Sequence, residues 1–215
     1  MIIDIWADVV CPWCFIGKRR LEQALASVEF REHVTVRHRA FQLQPDIRET
    51  VRTKEYLAEK YLATPEQVTA MQANVCAVAD GEGLCFKLEE TLSGNTFDAH
   101  RLLLWAATID KQEELLEVLF SNYFEKSKGV FSHTDLVAAA ISVGIDADKA
   151  DDVLTSDLFA DEVISDRNLA AQLGATGVPF FVFDMKFGIS GAQPLEAFMQ
   201  TLQNAWAEEV AATQQ

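Results

Sequence analysis

The stretch Cys11-Pro12-Trp13-Cys14 lies between the run Ile2-Ile3-Asp4-Ile5-Trp6-Ala7-Asp8-Val9-Val10 and a helical pattern. The run is rich in β-branched and aromatic residues and predicts a strand. Beyond the cysteines, Leu21, Ala24, Leu25 and Val28 recur with the period of an amphipathic helix. Pro12 stands where that helix would take its first residue, since its missing N–H has no intrahelical partner there. Cys11 is then expected at the helix N-terminus, where free N–H groups and the macrodipole stabilise a thiolate, the reactive form of cysteine. Cys14 comes round beside it one turn later. It meets fewer free donors and is expected to be the more buried thiol, with the higher pKa. This is the geometry of a redox pair.

A C-x-x-C is also half of a zinc site, but such sites add a second Cys or His pair at short spacing. Cys76 and Cys85 are too far apart for a knuckle and no paired histidines follow, so no metal is expected. A structural disulfide closing so short a loop stabilises less than one closing a long loop. The strand-to-helix placement favours catalysis over both.

The 215 residues suffice for one domain with a large insertion. A net charge of −15 argues against nucleic acid or an anionic membrane as partner. Met1 leads straight into a strand carrying Asp4 and Asp8, with no basic leader, and no apolar run approaches membrane-spanning length. A cytoplasmic location is expected, with cycling or free thiols rather than structural disulfides.

After the first helix, Val34 to Phe41 alternates as a second strand, with Val34, Val36, His38 and Ala40 on one face. His38 reads as a satisfied, partly buried histidine. From Thr53 to Leu173 the pattern is almost wholly helical. Tyr56, Leu57 and Tyr61 sit at helical spacing, and Thr64-Pro65-Glu66-Gln67 forms a capping box that opens a helix with Val68, Met71, Val75 and Ala79 as its apolar stripe. Further helices are expected around Leu102 to Ile109, Leu115 to Phe124, Leu136 to Val143 and Leu158 to Leu173, the last stopped by Gly174. The strand signals then return as Phe180-Phe181-Val182-Phe183, a turn at Asp184-Met185-Lys186, Phe187-Gly188-Ile189, and a last helix after Pro194. Without the insert, the order β-α-β then α-β-β-α is that of a thioredoxin fold. The expected architecture is therefore α/β, a thioredoxin fold interrupted by a large all-helical insertion. Residues 1–48 and 174–215 would form the thioredoxin-like domain and 49–173 the insertion, its last helix free to pack back on the core.

Cys11-Pro12-Trp13-Cys14-Phe15-Ile16-Gly17, Asn95-Thr96 with His100-Arg101, Gly177-Val178-Pro179-Phe180-Phe181 and Ser190-Gly191-Ala192-Gln193 together resemble the DsbA-like thiol oxidoreductases, and within them the FrnE-like cytoplasmic branch. The resemblance spans nearly the whole chain and implies dithiol–disulfide exchange on protein or small-molecule substrates, as a reductase or isomerase. It implies that Pro179 is a cis-proline facing the cysteines, so that Val178 offers its backbone to an extended substrate. Cys11 would form the mixed disulfide and Cys14 resolve it. Pro12 and Trp13 would border the substrate, with Trp13 as a contact ring or as ordinary packing. Asp8 is either a proton relay for Cys14 or a polar strand end. His100 and Arg101 belong to a matched motif, as insert or substrate contacts or as a buried network joining insert to core.

Lys18-Arg19-Arg20 reads as a solvated basic face, with Lys18 near enough to favour a Cys14 thiolate. Cys76 and Cys85 read as two buried free thiols. No bound cofactor is expected, with glutathione a candidate redox partner, and the chain would be a monomer or homodimer. Two other classes compete. Kappa-type glutathione transferases and chromene-carboxylate isomerases resemble this chain but carry serine where Cys11 stands; a non-catalytic binding protein would use the insert's apolar groove.

Overall fold

The strand and helix that flank the cysteines form as their residue pattern dictates, in a computed structural model that describes residues 1–213. β1 (Ile2–Ala7), α1 (Pro12–Ala26) and β2 (Thr35–Ala40) make a β-α-β unit. The chain then runs through β3 (Val51–Arg52), α2 (Thr53–Tyr61), α3 (Pro65–Gly81), β4 (Leu92–Ser93), α4 (Phe97–Ala107), α5 (Gln112–Phe124), α6 (His133–Ser142), α7 (Ala147–Thr155) and α8 (Ala160–Gln172). It returns with β5 (Phe180–Phe183), β6 (Phe187–Ser190) and α9 (Leu195–Thr213). The expected C-terminal segment extends to 215, and Gln214 and Gln215 lie outside the described residues.

The main sheet has the order β2-β1-β5-β6, with β1 parallel to β2 and antiparallel to β5. β1 is covered on both faces, which is why its sequence is an apolar run rather than an alternation. Ile3, Ile5 and Ala7 join Phe15 and Ile16 of α1 and Phe198 and Leu202 of α9 on one side. Trp6 packs with Phe180, Val182 and Ala170 on the other, and its Nε1 donates to the Asp166 carbonyl of α8 at 2.8 Å. Buried Asp4 on that face accepts from Arg37 at 2.9 and 2.7 Å and from Arg39 at 2.8 Å, so its charge is paired. This is a thioredoxin fold carrying a helical insertion.

The capping box forms as read: Thr64 Oγ1 accepts from the Gln67 N–H at 3.3 Å and Gln67 Oε1 from the Thr64 N–H at 2.7 Å. Three elements lie below the reach of periodicity. β3 and β4 pair over two residues each, too short to show alternation. α7 buries only Ala150, Val153 and Leu154 in an acidic segment, and its one clear signal was Asp146, which caps it by accepting from the Lys149 N–H. Met71 is 43% exposed rather than core.

The basic run is not a solvated face. Lys18 is only 5% exposed, with its ammonium between Glu22, Glu113 (2.5 Å) and Glu117 (2.9 Å), while Arg19 bonds Glu22 and Glu117. Arg20 holds Glu82 at 2.6 Å and donates to the Ala192 and Gln193 carbonyls. One turn of α1 thus ties the cysteine-bearing helix to α5, to the end of α3 and to the loop after β6, because a buried cation is tolerated only when paired. Cys76 and Cys85 also differ from expectation: Cys76 is half-buried and Cys85 exposed.

Two outcomes follow from this packing. A Cβ on Gly17 would lie 3.0 Å from Phe181 Cζ and 3.2 Å from Pro179 Cγ. Gly17→Ala should therefore lose about 1–3 kcal/mol by overpacking, despite gaining about 1 kcal/mol in helix propensity; urea unfolding reads the sum, and a stabilised variant would contradict the close packing. Burial works against the charge of Glu113, but the hydrogen bond and charge of His38 and the charge of Lys18 outweigh it and hold the carboxyl down at about 2. An unfolded glutamate titrates near ~4.3. The stabilisation is thus complete above that value and is lost as pH falls towards about 2. Glu113→Gln should flatten the acid limb of the stability–pH curve in that window, modestly because Glu113 is half-exposed; parallel limbs would show that the pair carries no linkage.

Candidate active site

Cys11 is the N-cap of α1 and Pro12 its first residue, so the cysteine sits where the strand turns into the helix. Pro12 has no N–H, and the Cys14 N–H is taken by the Cys11 carbonyl at 3.0 Å, so fewer open donors surround Cys11 than the bare helix start implies. The expected contrast in burial is also small, with Cys11 3% and Cys14 2% exposed. What separates them is surroundings. Cys11 lines an open cleft and its Sγ lies 3.6 Å from the Val178 carbonyl, whereas Cys14 does not line the cleft. Burial first, then the adjacent Cys11, pushes the Cys14 thiol well above its ordinary value, against the opposing hydrogen bond to the Asp8 backbone.

Asp8, 1% exposed, holds the site together. Its carbonyl accepts from the Cys11 N–H at 3.0 Å. Its carboxylate accepts from the Leu43 N–H at 2.8 Å and faces His100 Nε2 of α4 at 3.3 Å. The insertion therefore reaches the strand end directly behind the cysteines. Burial, with Asp8's charge a lesser cause, raises the nearby Tyr123 phenol to about 12.

The Val178–Pro179 peptide is cis. The Pro179 loop is held from two sides, by the tight approach of Gly17 and by the Gly191 N–H, which donates to the Pro179 carbonyl at 2.8 Å. Gly191 has φ +79°, a conformation that favours glycine. Asn95 accepts from Gln42 and from the Phe97 N–H and donates to the Pro45 carbonyl, joining the start of α4 to the loop after β2. Arg101 takes a different place. Its guanidinium donates to the carbonyls of Val153, Leu154, Ser156 and Leu158 and so closes the C-terminal end of α7, inside the insertion and away from the cleft.

A cleft of about 270 Å³ opens above Cys11, Pro12 and Trp13. Its far wall belongs to the insertion: Tyr56, Lys60 and Tyr61 of α2, Met71 of α3 and Tyr123 of α5. Residues that read as an apolar helix stripe, Tyr56, Leu57 and Met71, thus line the cleft, since both readings have the same periodicity. Gln44 also lines it, with its Oε1 buried and without a partner among the described residues. A lone loop glutamine carries no sequence signal. Among the described residues no group of three His, Cys, Asp or Glu side chains is placed to hold a metal ion.

The structure is similar to that of a probable DsbA oxidoreductase from Streptomyces coelicolor, with 42% identity, a TM-score of 0.93, and 97% of this chain and 91% of that one covered. The cytosolic disulfide reductase DsbM from Pseudomonas aeruginosa, also solved with GSH, shares the fold at 16% identity and a TM-score of 0.67, covering 96% and 99% of the two chains. A 2-hydroxychromene-2-carboxylate isomerase shares it at 13% identity and a TM-score of 0.72, covering 99% of each. No curated protein matches the chain by sequence. Residues 2–203 match the DsbA-like thioredoxin domain. With the cysteine pair at a helix start and the cis-proline loop beside it, the chain belongs to the DsbA-like thioredoxin family.

Proposed function

We propose that this protein is a thiol–disulfide oxidoreductase that works as a cytoplasmic reductase or isomerase, with Cys11 as nucleophile and Cys14 as resolving thiol. The observation that carries this reading is the asymmetry of the pair: Cys11 opens to the cleft beside the Val178 carbonyl, while Cys14 is enclosed and its thiol is held protonated. Cys11 as thiolate attacks one sulfur of a substrate disulfide, and the other sulfur leaves with the bonding electrons. Asp8 takes the Cys14 proton, Cys14 attacks Cys11 Sγ, and the remaining substrate thiolate departs, leaving the Cys11–Cys14 bond. Val178, ahead of the cis-Pro179 bond, borders the substrate on one side and Pro12 and Trp13 on the other; the ring of Trp13 gives contact area.

The thioredoxin-like part, 1–48 and 174–215, would supply the thiols, and the insertion, 49–173, the opposing wall of the cleft. The fold shared with a cytosolic disulfide reductase solved with GSH favours a cytoplasmic setting and a small thiol such as glutathione as redox partner. A transferase or isomerase of the chromene-carboxylate type finds support only in the shared fold, and the intact Cys11–Cys14 pair counts against it. No helix among the described residues is long and apolar enough to cross a membrane.

Cys11→Ser should abolish exchange without trapping substrate, whereas Cys14→Ser should accumulate a stable mixed disulfide through Cys11, read by mass spectrometry. Normal turnover by Cys14→Ser would reverse the assigned roles. A DsbA-like potential lies roughly 100 mV above that of cytosolic glutathione, about 5 kcal/mol for two electrons. The pair should therefore be mainly reduced in cells, as read by acid quenching and alkylation, and a mainly oxidised pair would refute the reductive direction.

A further inference from the structure

Asp8 and Cys14 are both enclosed, and neither lines the cleft, so a proton passed from the Cys14 thiol to Asp8 has no direct opening to that cleft. Among the described residues the carboxylate's one side-chain partner is His100 on α4, with Nε2 3.3 Å from Oδ1. His100 lines a second, very small crevice of about 10 Å³, together with His38, Arg39 and Gln112. That is about the space one water molecule occupies. His38 Nδ1 is buried without a partner among the described residues, while its Nε2 is 2.7 Å from Glu113 Oε2, and Glu113 is 55% exposed. Asp8, His100, the crevice, His38 and Glu113 thus form a line of proton-carrying groups from the buried cysteine to the surface.

We infer that His100 is a positioning residue that holds Asp8 and drains the resolving proton from it, through a water bound between the two histidines, to His38 and Glu113. The inference rests on the proposed role of Asp8. In the step, Asp8 receives the Cys14 proton as Cys14 attacks Cys11 Sγ, and the Cys11–substrate bond breaks with its electrons leaving on the substrate sulfur. With His100 in the tautomer that carries its proton on Nδ1, Nε2 accepts the Asp8 proton as Nδ1 gives its own to the water, which leaves His100 neutral with its proton on Nε2. The water protonates His38 Nδ1, and the His38 Nε2 proton crosses its hydrogen bond to the half-exposed Glu113, whose low pKa releases it at once to solvent. Each carrier regains its starting charge once the protons are reset by rotation and exchange. The other titratable or charged groups facing this line are Cys11 at the N-cap of α1, Lys18 on α1, Arg39 on β2 and Tyr123 on α5. Lys18 and Arg39 are held charged by their carboxylate partners and Tyr123 stays neutral, with its phenol raised to about 12.

The test is rapid-quench single turnover with glutathione disulfide as probe, separating the first release of glutathione (attack by Cys11) from the second (resolution by Cys14). His100→Ala should slow the second release about tenfold or more, with the first release and the reduction potential unchanged, and added imidazole should restore the rate. A wild-type second release, or a slow one that imidazole does not restore, overturns the inference. Should His100→Ala fail to fold, His100→Gln, which keeps a hydrogen bond to Asp8, decides: slowed resolution at an unchanged melting temperature and potential supports the relay, and a wild-type rate overturns it. His38→Gln should also slow the second release, and an unchanged rate removes the exit through His38. Asp8→Asn separates the two readings. If it resolves normally, the role of Asp8 in the proposed function fails; if it is slow while the His100 variants are normal, only the relay fails.

Discussion

A carboxylate with almost no access to water is the constraint around which this structure is arranged. Asp8 ends β1 with 1% exposure, and an unpaired charge there would cost several kcal/mol. Its partners come from three separate parts of the chain: the Leu43 N–H from the loop after β2, His100 from the insertion, and, through its own backbone, the cysteine-bearing start of α1. Satisfying that one group fixes the strand end, the helix start and α4 relative to each other. The Cys14 thiol is enclosed by the same packing, so its reluctance to ionise and the placement of Asp8 have one cause.

The insertion is joined to the sheet by a second device of the same kind. Lys18 and Arg19 enter a group of carboxylates from α1 and α5, and His38 of β2 meets Glu113 in the same group. On the opposite sheet face, α8 supplies the carbonyl for Trp6 and the carboxylate for Arg39. Both faces of β1 are thereby committed, and the cleft is left as the place where insert and sheet do not touch. Its walls accordingly mix groups from both: Cys11, Trp13 and Val178 on one side, Tyr56, Met71 and Tyr123 on the other. A molecule entering there would contact both parts at once, so the cleft joins the cysteine-bearing helix start to the helical wall opposite it.

Much of this was open to a reader of the sequence. Local rules act over a few residues, so they could be read directly: proline at the first helical position, the capping box at Thr64, the buried aromatic strand at Phe180, and the turn at Asp184 and Met185, both at positive φ. Four spaced motifs point to the family; the first carries the cysteines, and the other three converge on it through Val178, Gly191 and His100. Arg101 shares a motif with His100 yet serves α7, because one helical step turns its side chain about 100° away.

What the sequence determined by itself was the order of elements, the cysteine pair and its place at a helix start, since each is written in contiguous residues. Tertiary structure alone decided which charges are buried and which apolar residues face a cleft. Lys18 looks like any surface lysine until Glu113 and Glu117 arrive from a helix about a hundred positions away. Tyr56 and Met71 have the spacing of core residues, and only the distance between insert and sheet leaves them lining open space. Periodicity reports which residues share a face, but what that face meets depends on contacts distant in sequence, and those exist only once the chain has folded.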